Sequence, residues 1–348
     1  MDGAPLGVIR AKMAFLETPS EGKPSLAKHS ANLESVTRVG LDLAKNVFQL
    51  HAVDAGGAVV LARSVRRAGL LKLWEKLPRC EVAMEACSSA HHWGRALVAL
   101  GFSVGLIPPA YVKPYVRRNK NDAADAAAIC EAASRPNMRF VPLRSVENLA
   151  QLMRHRAREL LVAQRTQLLN AIRGHLAEVA AVALQGAQHA YALKRLISEG
   201  CDDNGEIRVQ DCMREALLPV ARQIDALDWR IEVIDKQMLA LARADATARR
   251  LMTIPGVGPL TAQAPVAAIQ DASGFANGRE FAAYLGLAPR QNSSGGKERL
   301  GRITKMGDRY LRKLLVVGAC ATLRHRQGQH GDALRVWATK LFNCGDMI

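Results

Sequence analysis

The sequence has no paired-cysteine motif. Its seven cysteines are odd in number, lie scattered between positions 80 and 344, and include no Cys-x-x-Cys pair. A disulfide framework and a thiolate zinc site are therefore not indicated, because both need cysteines at suitable spacings. We expect the thiols to be reduced and mostly buried.

Long apolar runs are also lacking. The least polar stretches, 96–112 and 253–269, are about 17 residues long and are interrupted by glycine and proline, whereas a spanning helix needs about 20 apolar residues. Residues 1–11 do not have the pattern of a secretory signal. We therefore expect a cytoplasmic protein without a membrane partner.

Acidic residues are too few to balance the basic ones. The chain has 48 Lys and Arg against 32 Asp and Glu, which gives a formal net charge of +16. This excess favours a polyanionic partner, with nucleic acid first and an anionic membrane surface second. The 348 residues, 49% of them hydrophobic, suffice for about two domains with cores of their own.

Residues 36–144 show the periodicities of an α/β domain. Apolar alternation and turn residues predict three consecutive strands, followed by alternating helices and strands, in the order βββαβαβ. The predicted strands are 39–43, 47–53, 58–65, 81–86 and 103–107, and the predicted helices are 70–77, 90–100 and 121–134. Asn121 is a suitable N-cap for the last helix.

The remaining chain predicts three further regions. Residues 1–35 mix Pro, Gly, Ser and Lys and are expected to form a disordered extension. Residues 145–250 have helical periodicity and predict long helices in a coiled-coil hairpin, with a bend at 200–205. Residues 251–348 are richer in Gly and Pro and predict a third, mainly helical domain.

Four carboxylates of the α/β domain form a candidate metal site: Asp42, Glu85, Asp122 and Asp125. Asp42 lies within an apolar strand, where an unpaired charge is costly, and Glu85 ends another strand. Asp122 and Asp125 are three residues apart and share one helix face. Together they could hold two Mg²⁺ ions, since carboxylate oxygens are hard ligands and paired metals can act on a phosphodiester.

Each carboxylate also has a simpler interpretation. Asp122 could be a first-turn acid favoured by the helix dipole, and Asp125 an exposed ion-pair partner. Glu85 could be a surface charge. Asp42 is the hardest to explain without a cation.

Three segments resemble the acidic motifs of the DEDD-type insertion-sequence transposases. They are Val39-Gly40-Leu41-Asp42-Leu43-Ala44-Lys45, Met84-Glu85-Ala86-Cys87 and Lys120-Asn121-Asp122-Ala123-Ala124-Asp125-Ala126. The resemblance implies a RuvC-like ribonuclease H fold, a helical middle and a C-terminal transposase domain. It also implies that Asp42, Glu85, Asp122 and Asp125 are the catalytic, metal-binding tetrad.

Two segments near the C-terminus are candidates for nucleic-acid contact. Residues 253–261 resemble a helix-hairpin-helix turn in which Gly256 and Gly258 would let the backbone approach a phosphate; a turn that only reverses the chain is about as good an explanation. Residues 289–297 place Ser293 and Ser294 in a basic loop. The candidate phosphate contacts in and after this loop are Arg290, Lys297, Arg299, Arg302, Lys305 and Arg309.

The family resemblance assigns chemistry to this loop. A serine beside a glycine acts as the family's nucleophile; Ser294 matches it best, and Ser293 is the second choice. The resemblance further implies a guide (bridge) RNA as partner. Because the carboxylates and the serine lie about 170 residues apart on different predicted domains, we hypothesise a composite site between domains or protomers. We also expect a homo-oligomer (dimer or tetramer) and association with the nucleoid. The predicted function is thus that of a DNA transposase and recombinase.

Other functions remain open at this level. A junction-resolving endonuclease would use the carboxylates without the serine, and a nucleic-acid scaffold would need neither. An actin-like kinase is disfavoured because Leu43-Ala44-Lys45 replaces its phosphate loop.

Pro265 is expected to interrupt a helix, and the ending after residue 324 differs from the family's usual one. Five arginines make the helical arm basic: Arg154, Arg156, Arg158, Arg165 and Arg173.

Overall fold

The computed structural model describes residues 32–116, 121–184, 186–201, 208–325 and 336. These residues form two units, one ending at Leu143 and the other beginning at Arg144. Of the predicted disordered extension, residues 1–31 lie outside the described part of the chain, and Leu33–Ser35 form a 3-10 turn.

The first unit is built on a five-stranded mixed sheet. Its strands are β1 (Arg38–Asp42), β2 (Val47–Val53), β3 (Val59–Arg66), β4 (Glu81–Glu85) and β5 (Ser103–Ile107). The order across the sheet is β3-β2-β1-β4-β5. The first three strands pair antiparallel, whereas β4 runs parallel to both β1 and β5. The strand and helix order predicted from periodicity is confirmed.

Helices cover both faces of this sheet. They are α1 (Leu70–Trp74), α2 (Ala90–Ala99), α3 (Pro109–Val112) and α4 (Asp122–Ala133). One core contains Leu41, Phe48, Trp74 and Met84, all buried. A second cluster packs α4 against the sheet. The architecture is mixed α/β and compatible with a ribonuclease H-like domain.

The second unit begins with three long or medium helices, α5 (Val146–Ala177), α6 (Ala187–Glu199) and α7 (Asp211–Ala244). Arg158 pairs with Asp235, and Arg165 pairs with Asp228. A step of seven residues along α5 thus matches a step of seven in the opposite direction along α7, so the two helices run antiparallel. Helix α6 ends at Glu199, and of the predicted bend at 200–205 only residues 200 and 201 lie within the described part of the chain.

Shorter elements complete the second unit. They are α8 (Ala246–Leu251), α9 (Pro259–Ala268), α10 (Gly278–Tyr284), β6 (Pro289–Gln291), β7 (Leu300–Ile303) and α11 (Arg309–His325). The prediction that Pro265 interrupts a helix is wrong, since α9 continues through it to Ala268. Pro265 removes one backbone donor, but buried contacts of Ala262, Ala264 and Ala267 hold the helix in place.

Two further expectations can be compared with the described residues. The prediction of mostly buried thiols is wrong: Cys80 and Cys130 are buried, Cys87 and Cys201 are half-buried, and Cys212 and Cys320 are exposed. None of the helices in the described ranges has the length and apolarity needed to cross a membrane.

Candidate metal centre and serine hairpin

Two parallel strands end in acidic residues at one edge of the sheet. Asp42 is the last residue of β1, and Glu85 is the last residue of β4. The sequence predicted Asp42 inside its strand, whereas the structure places it at the strand end, half-buried. Since β1 and β4 run parallel with Leu41 beside Met84, both acids emerge at the same edge.

Helix α4 lies very close to β1 because of a glycine. A Cβ atom at Gly40 would stand 2.3 Å from the carbonyl oxygen of Ala126 and 2.6 Å from the backbone nitrogen of Cys130. Residues two apart on a strand point to one face, so the helix that covers Gly40 also faces Asp42. Sequence reasoning missed Gly40, although a glycine inside a strand can signal close backbone approach.

The start of α4 is set by its N-cap. The side-chain Oδ1 of Asn121 accepts a hydrogen bond from the backbone N–H of Ala124 at 2.7 Å, as the predicted cap requires. Asp122 is therefore the first helical residue, and Asp125 follows one turn later on the same side. Lys120, which opens this motif, lies outside the described residues.

Three of the four predicted carboxylates converge. Asp42, Asp122 and Asp125 each place an oxygen within 4.8 Å of the other two. Glu85 does not belong to this group, although its charge acts on Asp42. The structure therefore brings together the strand acid and both helix acids, and leaves Glu85 at the neighbouring strand end.

Electrostatic repulsion makes this cluster unfavourable without a cation. Burial, followed by the charges of Asp125, Asp122 and Glu85, raises the pKa of Asp42 from 3.8 to about 6. The backbone N–H of Leu43 opposes this rise through a hydrogen bond, and no basic side chain of the described residues is among the groups that shift the pKa. The compensating cation that the sequence analysis required is thus not supplied by a described side chain.

The donor set fits a hard divalent ion. All three converging groups are carboxylates, which suit Mg²⁺ better than a softer metal. Asp42 and Asp125 are half-buried and Asp122 is exposed, so the cluster is open to solvent on one side. Such a site can bind a cation and still admit a substrate phosphate.

The segment that carries the two serines is a β-hairpin rather than the predicted loop. Strands β6 and β7 pair antiparallel, and Ser294 forms a bridge with Lys297 at the tip. Gly295 and Gly296 both have positive φ, of 57° and 76°, as a two-residue hairpin turn of type I′ requires. The glycines therefore have a turn-forming role, and the hairpin is exposed to solvent along its length.

The two serine hydroxyls differ in their contacts. The Oγ of Ser293 accepts a hydrogen bond from the backbone N–H of Arg299 at 2.9 Å. The hydroxyl of Ser294 makes no hydrogen bond to any residue in the described ranges, and only its carbonyl oxygen is used, by the N–H of Lys297 at 3.1 Å. Ser294 therefore has the more available oxygen.

The glycine turn before α9 contacts protein. A Cβ at Gly256, whose φ is +82°, would lie 2.5 Å from the carbonyl oxygen of Gly318 on α11. This close approach accounts for a glycine at that position without a phosphate. Gly258 differs, because it precedes α9 as its N-cap and a Cβ there would meet nothing within 4 Å. Phosphate binding at this turn stays a prediction.

The predicted basic contacts surround the hairpin on the surface. Arg290, Lys297, Arg299, Arg302, Lys305 and Arg309 are all exposed. Two further basic residues, on α11, have partners within the protein: Arg312 donates to the carbonyl oxygens of Leu285 and Met306, and Lys313 pairs with Glu159 at 3.0 Å.

Comparisons with known proteins give a consistent result. A family model described as "Transposase IS116/IS110/IS902 family" matches residues 248–333, and the IS110-type DEDD model, described as "Transposase", matches residues 39–181.

Curated relatives match over most of the chain. A protein of Pseudomonas aeruginosa named "Probable family 20 transposase" is 46% identical, covering 83% of this chain and 85% of its own length. The "Transposase for insertion sequence element IS1111A" of Coxiella burnetii is 40% identical over 90% and 85% of the two chains. That for IS1328 of Yersinia enterocolitica is 36% identical over 86% and 87%.

Proposed function

The chain belongs to the IS116/IS110/IS902 family of transposases, enzymes that cut and rejoin DNA, and we propose that it moves an insertion sequence with a Mg²⁺-binding carboxylate site and a serine nucleophile. The convergence of Asp42, Asp122 and Asp125 carries the first part of this proposal. Like charges held this close favour a counter-ion; burial and, after it, the neighbouring carboxylates raise the pKa of Asp42, and a bound cation would offset both effects.

In this proposal the four acids share one task. Asp42, Asp122 and Asp125 hold divalent ions, and Glu85 is the fourth ligand because it ends the strand beside Asp42. Bound ions supply electrostatic stabilisation for the charge that develops on a phosphodiester. The packing of α4 on Gly40 keeps the helix acids near the strand acid before substrate arrives.

Ser294 is the proposed nucleophile. Its Oγ forms a bond to the scissile phosphorus while the bond to the leaving deoxyribose oxygen breaks, and that oxygen takes up a proton. The hydroxyl proton of Ser294 passes to a base, which a serine needs to react at useful rates. The described residues of the hairpin contain no histidine, so a carboxylate would have to accept this proton. Exposed arginines and Lys297 would hold the DNA backbone around the tip.

Two parts of the proposal rest on family resemblance. A guide RNA would select the DNA by base pairing, and the net charge of +16 supports a polyanion of either kind. A homo-oligomer would let the carboxylate site of one subunit act with the serine of another. Sequencing the RNA that co-purifies with the protein tests for the guide RNA. Mixing Asp42→Ala with Ser294→Ala subunits tests the homo-oligomer, because assembly in trans predicts that the mixture regains recombination.

The central experiment follows the protein-DNA bond. Wild-type protein incubated with Mg²⁺ and DNA carrying the element ends should give an adduct that survives denaturation. Ser294→Ala should abolish the adduct. Ser293→Ala should preserve it, because the Ser293 hydroxyl accepts a hydrogen bond from the Arg299 amide and is not the proposed nucleophile. Full cleavage by Ser294→Ala, with no adduct from the wild type, would instead establish a junction nuclease that uses only the carboxylates.

A further inference from the structure

Helix α7 carries a row of four exposed side chains that the proposed function does not use. Arg222, Trp229, Lys236 and Arg243 follow one another at intervals of seven residues, and all four are exposed. Residues seven apart on a helix lie almost on one line, with a drift of about 20° per step. The row therefore forms a stripe about 31 Å long, given a rise of about 1.5 Å per residue.

Trp229 is the unusual member of this stripe. Its exposed fraction is 66%, whereas Trp74 and Trp93 are 0% and 6% exposed. Tryptophan has a large apolar face, and one left in water between basic side chains is typical of a binding surface. Trp229 takes part in no ring contact with another described residue.

Of the three cations in the stripe, only Lys236 is neutralised by an acid of the same helix, namely Glu232. Four acids of α7 are already paired with cations: Asp225 with Lys194, Asp228 with Arg165, Glu232 with Lys236, and Asp235 with Arg158. Within the described ranges, Arg222 and Arg243 make no ion pair or hydrogen bond. Arg158 and Arg165 of the basic α5 arm thus neutralise two acids of α7, whereas Arg222 and Arg243 of α7 have no acidic partner in the described ranges.

We propose that this stripe binds an unpaired segment of single-stranded DNA. One base stacks on the indole of Trp229, and Arg222, Lys236 and Arg243 contact phosphates on either side. Stacking needs a base that is not covered by its neighbours, so the stripe should favour a single strand over a duplex. The Glu232–Lys236 pair is exposed on both sides and therefore weak enough for a phosphate to replace.

A second copy of the chain fits this stripe less well. In a parallel pairing of two α7 helices each cation of the row would face its own copy, and in an antiparallel pairing Arg222 would face Arg243 while Lys236 would face Trp229. Both pairings bring arginines of like charge together, which is destabilising. A DNA strand instead supplies negative charge along its whole length. The choice of DNA rests on the family's reaction, in which strands are cut and rejoined; the carboxylate site and Ser294 play no part in the binding.

The test measures binding of a labelled 20-nucleotide oligo-dT to full-length protein by fluorescence anisotropy, in EDTA so that no cleavage occurs. Trp229→Ala should weaken binding by at least about fivefold, whereas Trp229→Phe, which retains a stacking ring, should stay close to wild type. Arg222→Ala and Arg243→Ala should each reduce the slope of log affinity against log salt by about 0.7.

Matched controls separate the stripe from general effects. Lys72→Ala removes one exposed charge from α1, and Leu160→Ala removes an exposed apolar side chain from α5; neither should change the affinity for oligo-dT. Thermal unfolding should be unchanged in Trp229→Ala, since the side chain is largely in water. A 20-base-pair duplex should not distinguish Trp229→Ala from wild type.

Several results would overturn the proposal. Equal binding of oligo-dT by wild type and Trp229→Ala would remove the stacking role, and an equal loss for duplex would remove the preference for a single strand. Tighter binding of oligo-U than of oligo-dT would reject DNA as the occupant. A Trp229 effect on phosphatidylserine vesicles without one on oligo-dT would make the stripe a membrane surface. Because no cleavage is measured, these outcomes are independent of whether the carboxylate and serine assignments hold.

Discussion

The carboxylate cluster of the first unit and the serine hairpin of the second are constructed in opposite ways. The cluster joins residues about eighty positions apart, and it forms only because α4 packs on Gly40 of β1. The hairpin is contiguous, exposed and defined by its own turn glycines. We therefore expect the geometry of the cluster to be sensitive to substitutions in the core, whereas the geometry of the hairpin should change only with substitutions in the hairpin itself.

The largest expected effect comes from Asp42→Asn. Removing the charge that both helix acids face should lower divalent-cation affinity by about a hundredfold or more, since several kcal/mol of interaction are lost, and should abolish DNA cleavage. Isothermal titration with Mn²⁺ measures the first effect. Ser294→Ala is the matched control and should bind Mn²⁺ as the wild type does. An unchanged Mn²⁺ affinity in Asp42→Asn would contradict the metal assignment.

The same substitution should stabilise the metal-free protein. The folded pKa of Asp42, about 6, exceeds its unfolded value of 3.8, so its stability contribution is full below pH 3.8 and is lost as the pH rises through 6. Asp42→Asn should therefore raise the free energy of unfolding at pH 7.5 by about 1 kcal/mol, a value reduced for solvent screening of this half-exposed group. Mn²⁺ binding by the wild type should weaken as the pH falls below 6.

Gly40→Ala should give the next largest effect. The added Cβ would meet two backbone atoms of α4 that cannot move independently, so we expect a loss of about 3 kcal/mol in the free energy of unfolding and a weaker Mn²⁺ site. Gly69→Ala in the same unit is the control, because its Cβ would have only an ordinary contact at 3.9 Å from Val65. Urea unfolding measures both variants; equal stability of the two would show that α4 can shift freely.

A buried histidine should give the second unit the opposite pH dependence. The Nδ1 of His155 lies 2.9 Å from the hydroxyl oxygen of Tyr310, while its Nε2 is buried without a partner among the described residues. Burial, with the charge of Arg158, lowers the pKa of His155 from 6.5 to about 4. The folded state thus resists protonation, and stability is lost as the pH falls from 6.5 to 4.

We expect the lowered pKa of His155 to reduce the free energy of unfolding by about 2 kcal/mol at pH 4.5, relative to its value at pH 7.5. Urea unfolding at pH 7.5 and 4.5 should show the loss in the wild type and a smaller loss in His155→Phe, which cannot be protonated. The same pH dependence in both proteins would mean that other groups are responsible.

The smallest effect should come from the hairpin turn. Gly295→Ala places a side chain at positive φ, which costs about 1 kcal/mol locally. The cost should appear as faster hydrogen exchange of the Arg299 amide, which donates to Ser293, with little change in global unfolding. Ser294→Ala should leave that exchange rate unchanged. A global loss of stability in Gly295→Ala would contradict the idea of a locally determined hairpin.

The predictability of the two sites differed for physical reasons. Periodicity and caps predicted the order of the strands and the start of α4, because those depend on neighbours in sequence, as the Asn121 cap shows. The end of β1 at Asp42 was not predicted, since the predicted strand continues to residue 43. The hairpin was read as a loop, although Gly295 and Gly296 are a turn signal. The sequence predicts that Pro265 interrupts a helix, but burial of the surrounding alanines outweighs the lost hydrogen bond and the helix continues.

The sequence by itself determined the strand and helix order, the placement of Asp122 and Asp125 in the first turn of α4 and the family resemblance, since all of these follow from local patterns. Only the tertiary structure decided that Asp42 meets Asp122 and Asp125 while Glu85 stays outside the group, and that arginines of α5 pair with α7 while Trp229 faces water. Distances between remote side chains depend on how closely two elements pack, and that packing is a property of the whole core.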